Sequence, residues 1–213
     1  MFMDAIHYHV RSEGQIVMKA VYIAIGIDLI GRKDVLGMWA GENESAKYWA
    51  TILNSLRNRG VEDVFIACMD NLTGFANAIE AVFPKTDIQN CIIYQLRNSS
   101  KYVSYKDLKV LMADLKKVYA AVDEPSAEEA LEVFSARWGK KYSKISASWR
   151  ENWSNLSSYF KFPEELRRLI YITNAIEGFN RQLHKVTKAK AAFPTDDSLL
   201  KMLYLAMLDI SRK

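Results

Sequence analysis

Three acids, Asp4, Asp70 and Glu177, are remote in the chain but fall where a fold could bring them together. Asp4 lies inside the first strand-like segment, Asp70 ends a short apolar run, and Glu177 sits on a late amphipathic stretch. Open α/β sheets place ligands beyond the carboxyl ends of their parallel strands, and Asp70 is positioned for that role. A charge directly after the apolar run Val64 to Met69 is costly to bury unless it is paired or bound to metal. The alternative is that Asp70 caps the following helix, and both readings stay open. Carboxylate oxygens are hard ligands suited to Mg²⁺ or Mn²⁺. Two such ions about 3.5 to 4 Å apart can activate an attacking oxygen and stabilise a leaving one in phosphodiester displacement. Three acids are the minimum set for that chemistry, so Asp4, Asp70 and Glu177 are the candidate metal ligands and catalytic residues.

Around Glu177, the residues Asn174, Glu177, Arg181 and His184 recur by three, four and three positions, while Ile172, Ile176, Phe179 and Leu183 form an apolar stripe. One face of this helix packs and the other is open to a substrate. Lys185, Lys188 and Lys190 extend positive charge past Glu177, as a phosphate track requires. The competing readings are a surface ion pair between Glu177 and Arg181 and a solvated basic face. Other constellations carry less. His7 and His9 are two apart on one strand face and read as exposed strand histidines, since a zinc site needs more ligands than can be located. Cys68 and Cys91 read as buried free thiols. Trp149, Trp153 and Phe160 have the spacing of a buried helix face rather than of a base-stacking surface. No glycine-rich phosphate loop and no Gly-x-Ser-x-Gly sequence is present.

The elements that must position these residues follow from periodicity. Asp4 to Val10, Ile16 to Ile27 and Asp34 to Ala40 are strand-like, separated by Ser12-Glu13-Gly14 and by Gly31, and predict an antiparallel meander. Ala46, Trp49, Leu53 and Leu56 follow the capping candidate Ser45 at helical spacing and stop before Gly60. Val64 to Met69 predicts a fourth strand, Thr73 to Val82 a helix closed by Pro84, and Ile88 to Ile93 a fifth strand. This order implies a mixed α/β sheet with flanking helices, the order of ribonuclease-H-like folds. After Arg97 the period becomes 3.6 and remains so, with Leu108, Leu111, Leu115, Val118 and Val122 on one face and Ala127, Leu131, Phe134 and Trp138 on another. Breaks fall at Asp123-Glu124-Pro125 and at Pro163. The expected organisation is an α/β part over residues 1–98, an all-helical part over 99–165, and the helix of Glu177 with a carboxyl-terminal helix over 166–213.

Composition sets the bounds. Half of the 213 residues are hydrophobic, a quarter are charged, and 4 prolines and 9 glycines interrupt the chain, which suits a globular protein with a real core. No apolar run approaches the roughly 18 residues needed to span a bilayer, and Asp4 stands where a signal peptide carries positive charge, so no membrane association and a cytoplasmic location are expected. The net charge of +4 fits a polyanionic partner without selecting one.

Over essentially the whole chain the sequence resembles the Mutator-type transposases of bacterial insertion sequences. The resemblance is carried by DAIHYHVR at Asp4 to Arg11, KAVYIAIGID at Lys19 to Asp28, GRKDVLGMWAGENE at Gly31 to Glu44 and IACMDNLTGF at Ile66 to Phe75. It continues through AIEAVFPKTDIQNCIIYQLRN at Ala78 to Asn98, SWRENWSNLSSYFKFPEELRRLIYITNAIEGFN at Ser148 to Asn180 and AAFPTDDSLLKMLYLA at Ala191 to Ala206. It implies a ribonuclease-H-like fold with a helical insertion before the last catalytic helix. It also implies an acidic triad at Asp4, Asp70 and Glu177 with two Mg²⁺ or Mn²⁺ ions, and metal-dependent cleavage and strand joining at transposon ends. Partners implied are DNA, both transposon ends and target, and further copies of the chain, in a bacterial cytoplasm close to the nucleoid.

The sequence departs from that family at named places. Tyr94 stands where the family usually has histidine, so its Cys-x-x-His signature becomes Cys91 and Tyr94. Tyrosine cannot serve as the neutral base or ligand that an imidazole provides. His184 occupies a position commonly basic in the family, Asn71 one where glycine is usual, and Tyr8 and His9 alter the segment after Asp4. The chain opens three residues before Asp4, and a fragment or degenerate copy with weak sequence-specific DNA binding is expected. Two rivals to an active transposase domain follow: an inactive remnant that associates only with DNA or with itself, and a nuclease that hydrolyses without strand transfer.

Overall fold

A computed structural model describes residues 1–171 and 174–211, with the side chains of Arg168, Tyr171, Asn174, Ala175 and Ser211 outside the description. The chain forms two compact units, one of Met1–Asp87 with Thr173–Lys213 and one of Ile88–Ile172.

The first unit is built on β1 (Phe2–Ser12), β2 (Gln15–Ile27), β3 (Lys33–Gly41) and β4 (Ile66–Met69). With β5 (Asp87–Asn90) they form a sheet of order β3-β2-β1-β4-β5. The first three strands are the predicted antiparallel meander. Its first turn closes in two residues, Glu13 and Gly14, with φ of 49° and 79°, the left-handed pair that matches the twist of a hairpin. β4 instead runs parallel to β1, with Phe2 opposite Cys68 and the Cys68 N–H donating to the Met1 carbonyl at 2.8 Å. β1 is therefore paired on both sides.

Side chains alternate across a strand, so each face of β1 collects a different set of partners. Ala5 pairs with Tyr22 on one face, where Tyr22 packs against Tyr48 and Trp49 of α1 (Ala46–Asn58). Trp49 in turn stacks on Phe75 of α2 (Phe75–Val82) at 4.6 Å between ring centroids. Ser45 caps α1 as its type and position predict, its hydroxyl accepting from the Tyr48 N–H at 3.2 Å. Asp4, Ile6, Tyr8 and Val10 line the other face, under α9 (Asn174–Thr187) and the segment leading to α10 (Asp196–Ser211). Lys19, opposite Tyr8, is buried there and is paired with Glu42 and with Asp196 at 3.5 Å.

The second unit contains α3 (Ile92–Ser100), α4 (Tyr105–Tyr119), α5 (Glu124–Trp138), α6 (Ser143–Glu151), α7 (Trp153–Leu156), a 3₁₀ turn (Ser158–Lys161) and α8 (Glu164–Tyr171). The helical period begins at Ile92, not after Arg97. Ile92 and Ile93, expected in the fifth strand, belong to α3, because Cys91 caps it and Ile92, Gln95 and Ser99 bury one helical face. Leu111, Leu115 and Val118 of α4 and Ala127, Leu131, Phe134 and Trp138 of α5 are buried as their spacing predicts. Val122 is exposed instead, since α4 ends at Tyr119 before that position is reached. Trp149 is buried, its indole donating to Ser99 Oγ at 3.0 Å, and Phe160 is buried too.

Asp114 pins α4 to α5. It accepts from Lys117 at 2.9 Å, from Arg137 at 2.8 Å and from the buried Trp138 indole at 3.0 Å. Replacing it by alanine leaves the indole N–H without an acceptor, so Asp114→Ala is expected to cost about 1–3 kcal/mol of stability, read by urea denaturation. A midpoint equal to that of the wild type would show that this contact is not what fastens the two helices.

Candidate functional site: carboxylates gathered at the first strand

The register of β1 and β4 sets the site. Phe2 lies opposite Cys68 in the parallel pair, and Asp4 and Asp70 each follow two residues later in the chain. Asp70 stands just past the carboxyl end of β4.

Asp4 is buried, 5% exposed, on the central strand. Its Oδ1 accepts from the Ala5 N–H at 2.9 Å and its Oδ2 from the Asn180 amide at 2.7 Å. The second bond spans 176 positions of sequence and fastens α9 to β1. Glu177 lies one turn before Asn180 and is half-buried. Further along the same helix the His184 ring leans on Tyr8, with 5.8 Å between centroids. The stripe that follows β1 therefore includes Glu177, Asn180 and His184, while Ile176, Phe179 and Leu183 are buried as expected.

A fourth carboxylate joins the group. Glu44, in the loop between β3 and α1, is close enough to Asp70 and Asp4 to feel both charges. Burial, then Asp70 and more weakly Asp4, push its carboxyl up to about 7 against an opposing influence of the Trp49 indole. That indole does not reach hydrogen-bond geometry, and Glu44 Oε1 and Trp49 Nε1 both remain buried polar atoms without a hydrogen-bond partner. Asp70 Oδ1 is in the same condition, and burial raises the Asp70 carboxyl while the Leu72 N–H opposes it. The neighbours of Glu44 are held firmly. The Tyr22 hydroxyl donates to the Asn43 carbonyl at 2.6 Å and accepts from the Ser45 N–H at 2.9 Å, gripping the backbone on either side.

Asn180 thus fastens the helix that carries Glu177 to Asp4, and the basic candidates lie in the open. Arg181, His184, Lys185, Lys188 and Lys190 are all exposed, the last two beyond the end of α9 at Thr187. The side chain of Asn174 lies outside the described residues. His7 and His9 are exposed strand residues and Cys68 and Cys91 buried free thiols, as expected. Glu44 and Asn180 were not among the residues singled out from sequence. Asn180 carried a signal, one helical turn after Glu177, whereas nothing local marks Glu44 except its place directly before the capping Ser45. Among the described residues, no three His, Cys, Asp or Glu side chains already stand as a closed set of metal ligands. The donors nevertheless suit a hard divalent cation by type, and the orphaned oxygens of Asp70 and Glu44 are what such an ion would satisfy.

The chain is thus of the mixed α/β class, with Asp4 buried on the central strand and Asp70 just past the carboxyl end of β4. Residues 1–213 match the family described as transposase, Mutator family, and the chain belongs to that family. It is 44% identical over 208 residues to a probable transposase for insertion sequence element ISRM3-like from Sinorhizobium fredii, covering 97% of this chain and 52% of that protein. The transposase for insertion sequence element ISRM3 of Rhizobium meliloti is 43% identical with the same coverage. A probable transposase for an insertion sequence element from Corynebacterium diphtheriae is 39% identical over 214 residues, covering 100% of this chain and 62% of that protein. The chain thus spans between half and two thirds of the length of these relatives. Among the described residues no helix is long and apolar enough to cross a membrane.

Two expectations follow from the geometry. Removing the amide that serves the buried Asp4 carboxylate, in Asn180→Ala, is expected to cost about 1.5–3 kcal/mol in urea denaturation, the range for a hydrogen bond to a charged group. A loss below about 0.5 kcal/mol, the low end for an ordinary hydrogen bond, would contradict the fastening role. The second concerns pH. A carboxyl raised from 4.5 to about 7 makes the folded state bind more protons than the unfolded one, so metal-free stability falls as pH rises through that interval. Thermal melts of wild type and Glu44→Gln should therefore diverge across it, the wild type losing ground toward the upper end. Parallel curves would refute the assignment to Glu44.

Proposed function

We propose that the chain is the catalytic domain of a DDE transposase, with a ribonuclease-H-like fold, that cleaves DNA at insertion-sequence ends and joins it to a target. The observation that supports this reading best is the hydrogen bond from Asn180 to Asp4, which fastens the helix of Glu177 to β1, beside the parallel pairing of β1 with β4, the strand that Asp70 follows. The sheet order, with helices on both faces of its antiparallel half, supports the ribonuclease-H-like assignment, and membership of a transposase family supports DNA as the partner.

Asp4, Asp70 and Glu177 would hold two Mg²⁺ or Mn²⁺ ions, which when bound supply the positive charge that activates the attacking oxygen and steadies the leaving one. The chain's own groups do the rest. Asn180 orients the Asp4 carboxylate from the side of α9. Arg181, His184, Lys185, Lys188 and Lys190 present an exposed basic track for phosphates, and Asn174 begins the same helix. Joining two transposon ends calls for more than one copy of the chain in the working complex.

The test is nicking of a supercoiled plasmid bearing insertion-sequence ends. Mn²⁺-dependent nicking by the wild type, lost in Asp70→Asn, is expected. Unchanged nicking in that variant would overturn the assignment of Asp70, and DNA binding with no nicking by the wild type would favour the inactive remnant.

A further inference from the structure

The reading just given assigns three acids, and it leaves Glu44 without a role. Its position is not incidental. Tyr22, fully buried, holds the residue before it and the residue after it through one hydroxyl, at 2.6 and 2.9 Å. Ser45 then starts α1, so the loop has little freedom to swing the Glu44 side chain away. Trp49, also fully buried and fixed by its stack on Phe75, walls one side. The side chain so held comes within electrostatic reach of Asp70 and Asp4 and buries Oε1 with no hydrogen-bond donor.

Gathering a further acid onto an acidic pair is unfavourable unless something positive is meant to lie among them. Elsewhere in this unit the chain supplies that charge itself, as Lys19 does for Glu42 and Asp196. Here, among the described residues, neither Glu44 nor Asp70 forms a salt bridge with a lysine or arginine. Asn180 adds an independent sign. It is 7% exposed, its amide nitrogen donates to Asp4, and its Oδ1 is buried beside that bond without a hydrogen-bond partner. Hard oxygen atoms from a carboxylate on the β3–α1 loop, from Asp70 and from an amide on α9 are the donor types that Mg²⁺ and Mn²⁺ take.

We propose that Glu44 is a fourth carboxylate of the cation site, binding a divalent ion together with Asp70 from the β3–α1 loop. The proposal rests on the cation reading above and adds a ligand to it. It makes the β3–α1 loop part of the site, so that ion binding ties this loop to the end of β4.

Calorimetric titration of Mn²⁺ into the full chain without DNA, at one pH above 7 and fixed salt, tests it in wild type, Glu44→Gln, Glu44→Asp and Asp70→Asn. Wild-type binding, its loss in Asp70→Asn, at least about a tenfold weakening in Glu44→Gln and a smaller loss in Glu44→Asp are expected, by the scale of perturbing a metal site. Thermal unfolding of the metal-free variants provides the control for folding. Wild-type affinity in a folded Glu44→Gln, with binding lost in Asp70→Asn, would overturn the fourth ligand and leave the three-acid site standing. Absence of Mn²⁺ binding by the wild type would overturn both.

Discussion

The Asp4 carboxylate is buried on a strand that is hydrogen-bonded on both sides, and much of the first unit is arranged around that fact. A carboxylate out of water must be met by donors or cations. The backbone of Ala5 provides one donor, and the other comes from α9, almost the whole length of the chain away. The parallel pairing of β4 with the same strand ends just before Asp70. A single strand thereby fixes the register of one acid and the docking of the helix that bears another.

Two kinds of buried acid in this protein illustrate what separates structure from chemistry. Asp114 has three donors at hydrogen-bond distance and holds two helices together. Asp70 and Glu44 each keep a buried oxygen without a partner, and burial raises both carboxyls. Groups left in that condition are costly, and strongly perturbed acids concentrate where a protein binds or transforms something. The loop of Glu44 is built with a conspicuous economy of means, one tyrosine hydroxyl bonding the backbone on both sides. Such rigidity is what a site for a small, geometrically demanding cation requires.

The helical unit has its own core, in which Leu111, Leu115, Val118, Leu131, Phe134 and Trp149 are buried. Some of its buried polar groups are served from within, as the Trp149 indole is by Ser99 and the Gln89 amide by the Leu156 carbonyl. Its helices are legible from spacing because each buries one apolar stripe.

The sequence by itself determined the antiparallel meander, the capped helix after Ser45, the helical second half, and Asp4, Asp70 and Glu177 as acids worth joining. Those features are local, set by alternation, 3.6-residue periodicity, capping residues and turn glycines. Family resemblance was equally legible, because it rests on contiguous segments. Boundaries that depended on competition between local choices were less so. Ile92 and Ile93 suit a strand by type, and the cap at Cys91 and the buried face of α3 make them helical. Only the tertiary structure decided that Phe2 meets Cys68, that Asn180 reaches Asp4 and that Glu44 feels the charge of Asp70. Each of these joins residues far apart in the chain, and strand register, helix docking and loop direction follow from how separate elements bury their faces against one another, which no short stretch of sequence encodes.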